Sequence, residues 1–379
     1  MMTPKIERFL AGRREYDSNP CVVVDLDVIA EKYREISEQM PLVRVFYAVK
    51  ANPAPEILSM LVELGSCFDT ASLQEIEMVL AAGASPDRIS FGNTIKKERD
   101  IARAYQLGVR LFAFDSACEL QKIARSAPGS KVFCRILVDC QAADWPLSKK
   151  FGCAPEMALE LLTDAASAGL DAYGISFHVG SQQTDPEQWD RAISQAAAIF
   201  RDLGERGVSA RMVNLGGGLP ARYQDEVAPM AAYALAISQA MTRHFGNQLP
   251  EMIIEPGRGL VGDAGVLEAE VILIAEKSFD DPVRWVYLDV GKFNGLAETM
   301  DEAIKYRLRT ERDGSETGRV ILAGPTCDSV DVLYEKAGYE LPHALQVGDK
   351  ITFLSCGAYT TTYATTGFNG FPPIQAYYI

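Results

Sequence analysis

Five groups of residues in this chain have types and spacings suited to chemistry. Lys50 closes the apolar run Val45-Phe46-Tyr47-Ala48-Val49 and is followed by Ala51-Asn52-Pro53, so an amine stands where a buried strand gives way to a turn. Gly216-Gly217-Gly218 follows the apolar run Arg211–Leu215. Successive glycines there let backbone N–H groups approach an anion such as phosphate. Glu255-Pro256-Gly257-Arg258 follows Met252-Ile253-Ile254 and offers an acid and a guanidinium three residues apart. Salt bridging between those two is the structural alternative, and anion binding by Arg258 the chemical one. His178-Val179-Gly180-Ser181 ends a further apolar run, and Asp69 and Arg135 end or border two others. Charged groups gathered at one place are costly unless they pair or bind something.

The elements that must carry these groups alternate regularly. Apolar runs recur around Phe46, Phe68, Ser90, Phe112 and Ile136, at intervals of roughly 22 residues, the length of one short strand, one helix and two loops. Longer units place strands at Tyr173–His178, Arg211–Leu215 and Met252–Glu255, which makes eight from the Lys50 strand onward. Between them, Asp185-Pro186 predicts a helix start, with Trp189, Ile193, Ala196, Phe200 and Leu203 on one face. Pro155 and Gly169 bracket another helix, and Asp27 is the expected cap of a helix over 28–39.

Eight strand–helix units imply a closed (β/α)8 TIM-type barrel, an α/β fold, over residues 20–264. An open doubly wound sheet would instead need its phosphate-binding glycines after the first strand. From 265 to 379 the pattern becomes strand-like, at 266–275, 285–290, 319–323 and 350–355, with one helix expected over 295–308. This predicts a C-terminal, mostly antiparallel β domain, with residues 1–19 a candidate to pack on it.

In such a barrel the strand ends converge on one mouth. Glycines after the seventh strand, Arg258 after the eighth and a lysine after the first suit a phosphorylated carbonyl compound held by the lysine as a Schiff base; pyridoxal phosphate fits. Its ring nitrogen needs an acid, for which Glu255 is placed, and His178 is positioned to stack on the ring.

Composition narrows the partners. The net charge of −14 argues against nucleic acid or an anionic membrane surface and suits a cationic small molecule. The eight cysteines show no CxxC pair and no zinc-like spacing with the three histidines, so no metal site is expected. No secretory signal pattern and no membrane-length apolar run is seen, which leads to the expectation of a cytoplasmic protein with free thiols.

The chain resembles the pyridoxal-phosphate decarboxylases of the alanine-racemase-like fold, and the eukaryotic-type ornithine/lysine decarboxylases most closely, in a short bacterial form. The resemblance rests on Phe46–Pro53, Phe68–Ser72, Phe177–Ser181, Gly216–Gly218, Glu255–Gly259, Gly324-Pro325-Thr326-Cys327-Asp328-Ser329 and Gly357-Ala358-Tyr359-Thr360. It implies Lys50 as the Schiff-base lysine, Glu255 as the partner of the pyridine nitrogen and His178 as the stacking residue. It implies Asp69 and Arg135 near the lysine and the ring hydroxyl, and Ser181, Gly217, Gly218, Gly257, Arg258 and Tyr359 among the cofactor contacts. It further implies a head-to-tail homodimer in which the second subunit supplies Cys327, to protonate the carbanion carbon, and Asp328, to bind the distal ammonium. The implied reaction is decarboxylation of L-ornithine to putrescine in polyamine biosynthesis, with L-lysine to cadaverine, or both, as the alternative.

Two departures from the family pattern stand out. Thr70 replaces a frequent Cys. The segment Leu288-Asp289-Val290-Gly291-Lys292-Phe293-Asn294 has altered spacing around Asp289, the candidate for a second distal-amine contact. Read from the residues alone, Gly324–Ser329 is a loop whose cysteine could be inert. A racemase on this fold would need a second base from the β domain, usually a tyrosine. A non-catalytic regulator would lack the cofactor residues, and a cofactor carrier would not need residues 265–379.

Overall fold

The computed structural model describes residues 2–138, the backbone of 143–145, and 150–379. Asp139 and Cys140 lie outside the described residues. The chain divides into two compact units, one of residues 30–220 and 227–260, the other of 1–29, 221–226 and 261–379.

The first unit is a closed barrel of eight parallel strands. They are β1 (Val43–Ala48), β2 (Cys67–Thr70), β3 (Ile89–Phe91), β4 (Leu111–Phe114), β5 (Lys131–Arg135), β6 (Asp171–Ser176), β7 (Met212–Asn214) and β8 (Glu251–Ile254). The ring closes where Met252 of β8 pairs with Val43 of β1. All eight correspond to the apolar runs read from the sequence. Side chains from alternate positions fill the interior, among them Phe46, Cys67, Ala113, Phe133, Tyr173, Met212 and Ile253. The interior is therefore a packed core, and chemistry is displaced to the strand ends.

The helices outside follow local rules. Pro155 opens Pro155–Ser167, and Gly169 stops it with φ of 77°. The predicted start at Asp185-Pro186 is displaced, because Asp185 Oδ1 instead accepts the Glu187 N–H at 3.0 Å, and the helix runs Gln188–Glu205. Trp189, Ile193, Ala196 and Leu203 are buried as expected. The Trp189 indole N–H donates to the Leu215 carbonyl at 3.1 Å, so this helix props the backbone just before the three glycines. The helix expected over 28–39 runs Leu26–Gln39, and Asp25 rather than Asp27 serves its start by accepting the Asp27 N–H at 3.1 Å.

In the second unit the long strand β9 (Gly265–Ala275) pairs antiparallel with β10 (Arg284–Leu288), with β12 (Lys350–Leu354) and with Cys21–Val24. β11 (Thr317–Ala323) lies parallel to β10, so the sheet is mostly but not wholly antiparallel. The helix Pro4–Arg13 sets Ile6 and Leu10 against Cys21, Val23 and Val266.

One sequence expectation fails here. Residues 295–308 do not form a helix. Ala297–Glu302 is a 3-10 turn interrupted by a kink at Met300 and Asp301, and Leu308–Thr310 is a strand paired with β12. Tertiary hydrogen bonds override the helical pattern: Glu302 Oε1 accepts the backbone N–H groups of Glu335 and Lys336 at 2.8 and 2.7 Å. Glu298 and Thr299 are buried.

Barrel closure also depends on one close approach. A Cβ on Gly174 in β6 would lie 2.0 Å from the Met212 carbonyl oxygen in the neighbouring strand. Gly174→Ala is therefore expected to cost about 1–3 kcal/mol through overpacking. The check is a lowered urea midpoint; an unchanged midpoint would contradict this view of the β6–β7 contact.

Candidate functional site

At the C-terminal end of the barrel the chain builds a cradle whose parts depend on one another. The loop after β7 needs glycine three times, for three reasons. Gly216 has φ of 69°, and a Cβ there would lie 2.0 Å from the Phe177 carbonyl oxygen. A Cβ on Gly217 would lie 2.9 Å from His178 Nε2 and 2.9 Å from the Glu255 carbonyl oxygen. Gly218 has φ of 115°, and its Cβ would lie 2.7 Å from the Gly180 carbonyl oxygen. The loop is thus fitted between the ends of β6 and β8, and it is not a merely flexible turn.

Asn214, the last residue of β7, ties this loop to the acid. Its Oδ1 accepts the Gly216 N–H at 2.9 Å, and its Nδ2 donates to Glu255 Oε1. The Glu255 N–H in turn donates to the Gly216 carbonyl at 2.8 Å. Burial, then the nearby Asp69, pushes the Glu255 carboxyl up to about 7, although Lys50, Asn214 and Arg135 act in the opposite direction. Three residues on, Arg258 is buried, and its Nε and Nη2 lie 3.4 and 3.3 Å from Ser181 Oγ. Gly257, between Glu255 and Arg258, accepts the Leu260 N–H at 3.1 Å and turns the chain.

Across the mouth, Lys50 lies in the short 3-10 turn Val49–Ala51 that ends β1. Tyr47 fixes that turn by donating its hydroxyl to the Asn52 carbonyl at 2.8 Å. The Lys50 side chain is about half exposed, at 48%, with Nζ 3.5 Å from Asp69 Oδ2. Asp69 is buried, and its Oδ1 accepts the Ser90 hydroxyl at 3.1 Å. A Cβ on Gly92 would lie 1.8 Å from that oxygen, so Gly92 exists to make room for Asp69.

His178 lies between the two sides. Burial, reinforced by Arg135 and Lys50, holds its imidazole well below the usual histidine range, so it is neutral. Its Nδ1 accepts the Gly180 N–H at 3.1 Å, which leaves the proton on Nε2. Arg135 ends β5, within the fields of Glu255, Asp115 and Asp69, and its guanidinium sits 5.3 Å from the Phe151 ring centre.

Three contributors were not read from the sequence. Asn214 passes for an ordinary strand residue until its two side-chain bonds are seen. Glu75 accepts the Ala71 N–H at 2.6 Å, is pushed up by burial, and feels both Asp69 and Lys50. Its signal was present as the capping box Ser72-Leu73-Gln74-Glu75. Gly92 could have been flagged only by its position at a strand end.

Four predicted residues belong to the β unit: Asp289, Cys327, Asp328 and Tyr359. Cys327 and Asp328 are exposed in a loop hung from the buried Asp331. The Asp331 carboxylate accepts the Thr326 hydroxyl at 2.7 Å, the Thr326 N–H at 3.2 Å and the Lys292 N–H at 2.8 Å. A Cβ on Gly291 or Gly324 would lie 2.3 Å from it. The Cys327 N–H donates to Asn369 Oδ1 at 2.7 Å. Asp289 is pushed up to about 6 by burial, and its Oδ1 accepts the Glu270 N–H at 2.8 Å. Tyr359 has a left-handed backbone, with φ of 55°.

An anion nest with a buried guanidinium, an amine opposite it, and an acid between define the class: the site fits a phosphorylated, ring-containing carbonyl cofactor. Residues 26–262 match the family model for the pyridoxal binding domain of pyridoxal-dependent decarboxylases, and the chain belongs to that family, to its ornithine/lysine branch. Its cofactor is pyridoxal phosphate. The lysine/ornithine decarboxylase of Selenomonas ruminantium is 35% identical over 93% of this chain and 87% of its own length. The crystal structure of lysine/ornithine decarboxylase from Vibrio vulnificus complexed with cadaverine has a TM-score of 0.89 and 31% identity, covering 100% of both chains. Antizyme inhibitor 2 of Xenopus laevis is 33% identical over 96% of this chain and 81% of its own length. Among the described residues, no helix is long and apolar enough to cross a membrane.

The Glu255 shift has a direct consequence. A carboxyl that titrates near 7 in the fold against an ordinary 4.5 resists charging, so it costs stability increasingly as pH rises between those values. Glu255→Gln carries no charge. Without cofactor, its Tm should gain on the wild type from about pH 5 to about pH 8. A Tm difference equal at both pH values would contradict the burial of this carboxyl.

Proposed function

We propose that the protein decarboxylates L-ornithine to putrescine for polyamine synthesis, with L-lysine to cadaverine as the alternative or second reaction. The observation that carries this reading is the exposed Cys327–Asp328 pair on its Asp331-anchored loop, in a chain that also has a complete barrel cradle. A racemase would require a second base in place of that pair. A non-catalytic regulator, as the likeness to an antizyme inhibitor invites, is disfavoured because Lys50, Glu255, Arg258 and Cys327 are all retained.

When bound, pyridoxal phosphate supplies the electron sink into which the carbon–carboxylate bond breaks. The residues divide the remaining tasks. Lys50 Nζ would hold the cofactor carbonyl and later release product. The amides of Gly217 and Gly218, with Ser181, Gly257, Arg258 and Tyr359, would bind the phosphate. His178, kept neutral, would cover one ring face without adding charge. Asp69 and Arg135 would orient the lysine side and the ring hydroxyl. Glu255 would keep the proton on the ring nitrogen. Cys327 would return a proton to the substrate α-carbon, and Asp328 and Asp289 would grip the distal ammonium by charge-assisted hydrogen bonds.

Because Cys327 and Asp328 project outward in one chain, this reading includes a homodimer in which each chain completes the other's site. The exposed apolar residues Met300, Val330, Tyr363 and Phe368 near that loop support it. The net charge of −14 supports a cationic small-molecule substrate and neither nucleic acid nor membrane as partner. The free thiols favour a cytoplasmic setting.

Purified protein given cofactor should turn yellow and release CO2 from ornithine, lysine or both, assayed side by side. Colour without gas would favour a racemase or carrier, and no colour a regulator. Lys50→Ala should lose the visible cofactor absorbance together with turnover; a variant retaining both would refute the role of Lys50. Asp328→Ala should lower kcat/KM for the diamino acid on the order of a hundredfold. An unchanged value would remove Asp328 from substrate binding.

A further inference from the structure

Outside the cradle, two cysteines are set against each other. Cys134 lies in β5 immediately before Arg135, and Cys153 returns to its side, with the two Sγ atoms 3.6 Å apart. The backbone fixes this approach. Ile136 and Cys153 form a parallel bridge, the Cys153 N–H donates to the Arg135 carbonyl at 3.0 Å, and the Leu137 N–H donates to the Cys153 carbonyl at 2.8 Å. Gly152 has φ of 93°, its Cβ would lie 2.9 Å from the Ile136 carbonyl carbon, and its N–H is held by Asp115 Oδ2 at 2.8 Å. Cys134 is fully buried and Cys153 is 5% exposed. Of the seven described thiols, all free, Cys118 and Cys327 are the exposed ones.

We propose that Cys134 and Cys153 are a redox modification site: under a hydroperoxide they close a reversible disulfide that latches the chain after β5 onto the strand that carries Arg135. The approach of two thiols to 3.6 Å, on segments held together by backbone hydrogen bonds, is the ground for it. Their chemistry gives an order of events. Cys134 is wholly enclosed and burial holds its thiol well above the usual range, whereas Cys153 keeps some exposure and is the sulfur a peroxide reaches first. Cys153 is therefore the attacking sulfur and Cys134 the resolving one.

The Cys153 thiolate attacks a peroxide oxygen, the O–O bond breaks, and the departing hydroxide takes a proton to become water. Cys134 then gives up its proton, its sulfur attacks the Cys153 sulfenic sulfur, the S–O bond breaks, and a second water leaves. Two thiols are oxidised by two electrons and one hydrogen peroxide is reduced to two waters.

The test is peptide mapping without reductant, after brief treatment of the cofactor-loaded protein with hydrogen peroxide and quenching with an alkylating agent. A crosslinked Cys134–Cys153 peptide pair, two hydrogens lighter than the separate peptides and released by dithiothreitol, is expected. In Cys134→Ser, a sulfenic-acid trap such as dimedone should mark Cys153. Should that variant not fold, the wild-type crosslink stands alone as the readout. Alkylation of both Cys134 and Cys153 while Cys118 and Cys327 are oxidised would overturn the proposal, as would a crosslink from Cys153 to any other cysteine.

Discussion

The structure turns on a carboxyl that the fold makes hard to charge. Glu255 stands at the end of β8, held by the Asn214 side chain and by its own N–H to Gly216, with its carboxyl raised to about 7. An isolated acid in that position is a liability to the protein without its cofactor. It becomes an asset once a basic nitrogen stands opposite, because the proton they share is then held where electron withdrawal is needed. The surrounding arrangement follows from that. Asn214 spends one end on the acid and the other on the glycine loop, so the acid and that loop are one mechanical piece. A neutral His178 stands within the fields of the cations Lys50 and Arg135.

The same economy of contacts recurs in the β unit. Asp331, buried and bonded to Thr326 and Lys292, does for the Cys327–Asp328 loop what Asn214 does for the glycines. In both places a polar side chain is buried so that a neighbouring segment is fixed, and at Asp331 two glycines, Gly291 and Gly324, clear the space it occupies. Rigid support for reactive groups is the common theme, since a nucleophile or acid acts only from a defined place.

How much of this was legible in the sequence depends on the kind of signal. The eight barrel strands are short apolar runs bounded by turn residues, and buried parallel strands announce themselves in that way. The residues at their ends, Lys50, Asp69, Arg135, His178 and Glu255, were visible because charge next to an apolar run is unusual. Residues whose role is to hold another were not. Asn214 and Asp331 carry no pattern of their own, Glu75 shows only as the end of a capping box, and Gly92 matters only because Asp69 is 1.8 Å from where its side chain would be. The segment 295–308 misled because its spacing suits a helix, whereas the hydrogen bonds that Glu302 accepts from distant amides decide its path. Nothing within Cys21-Val22-Val23-Val24 says which sheet it joins; that is settled by its pairing with β9.

On the proposed function, Glu255 keeps the cofactor's ring nitrogen protonated. The most direct measurement is the 15N chemical shift of the ring nitrogen in protein loaded with 15N-labelled pyridoxal phosphate, in the wild type and in Glu255→Gln. A protonated nitrogen in the wild type and an unprotonated one in the variant is the predicted result. An unprotonated nitrogen in the wild type, or no difference between the two, would contradict it.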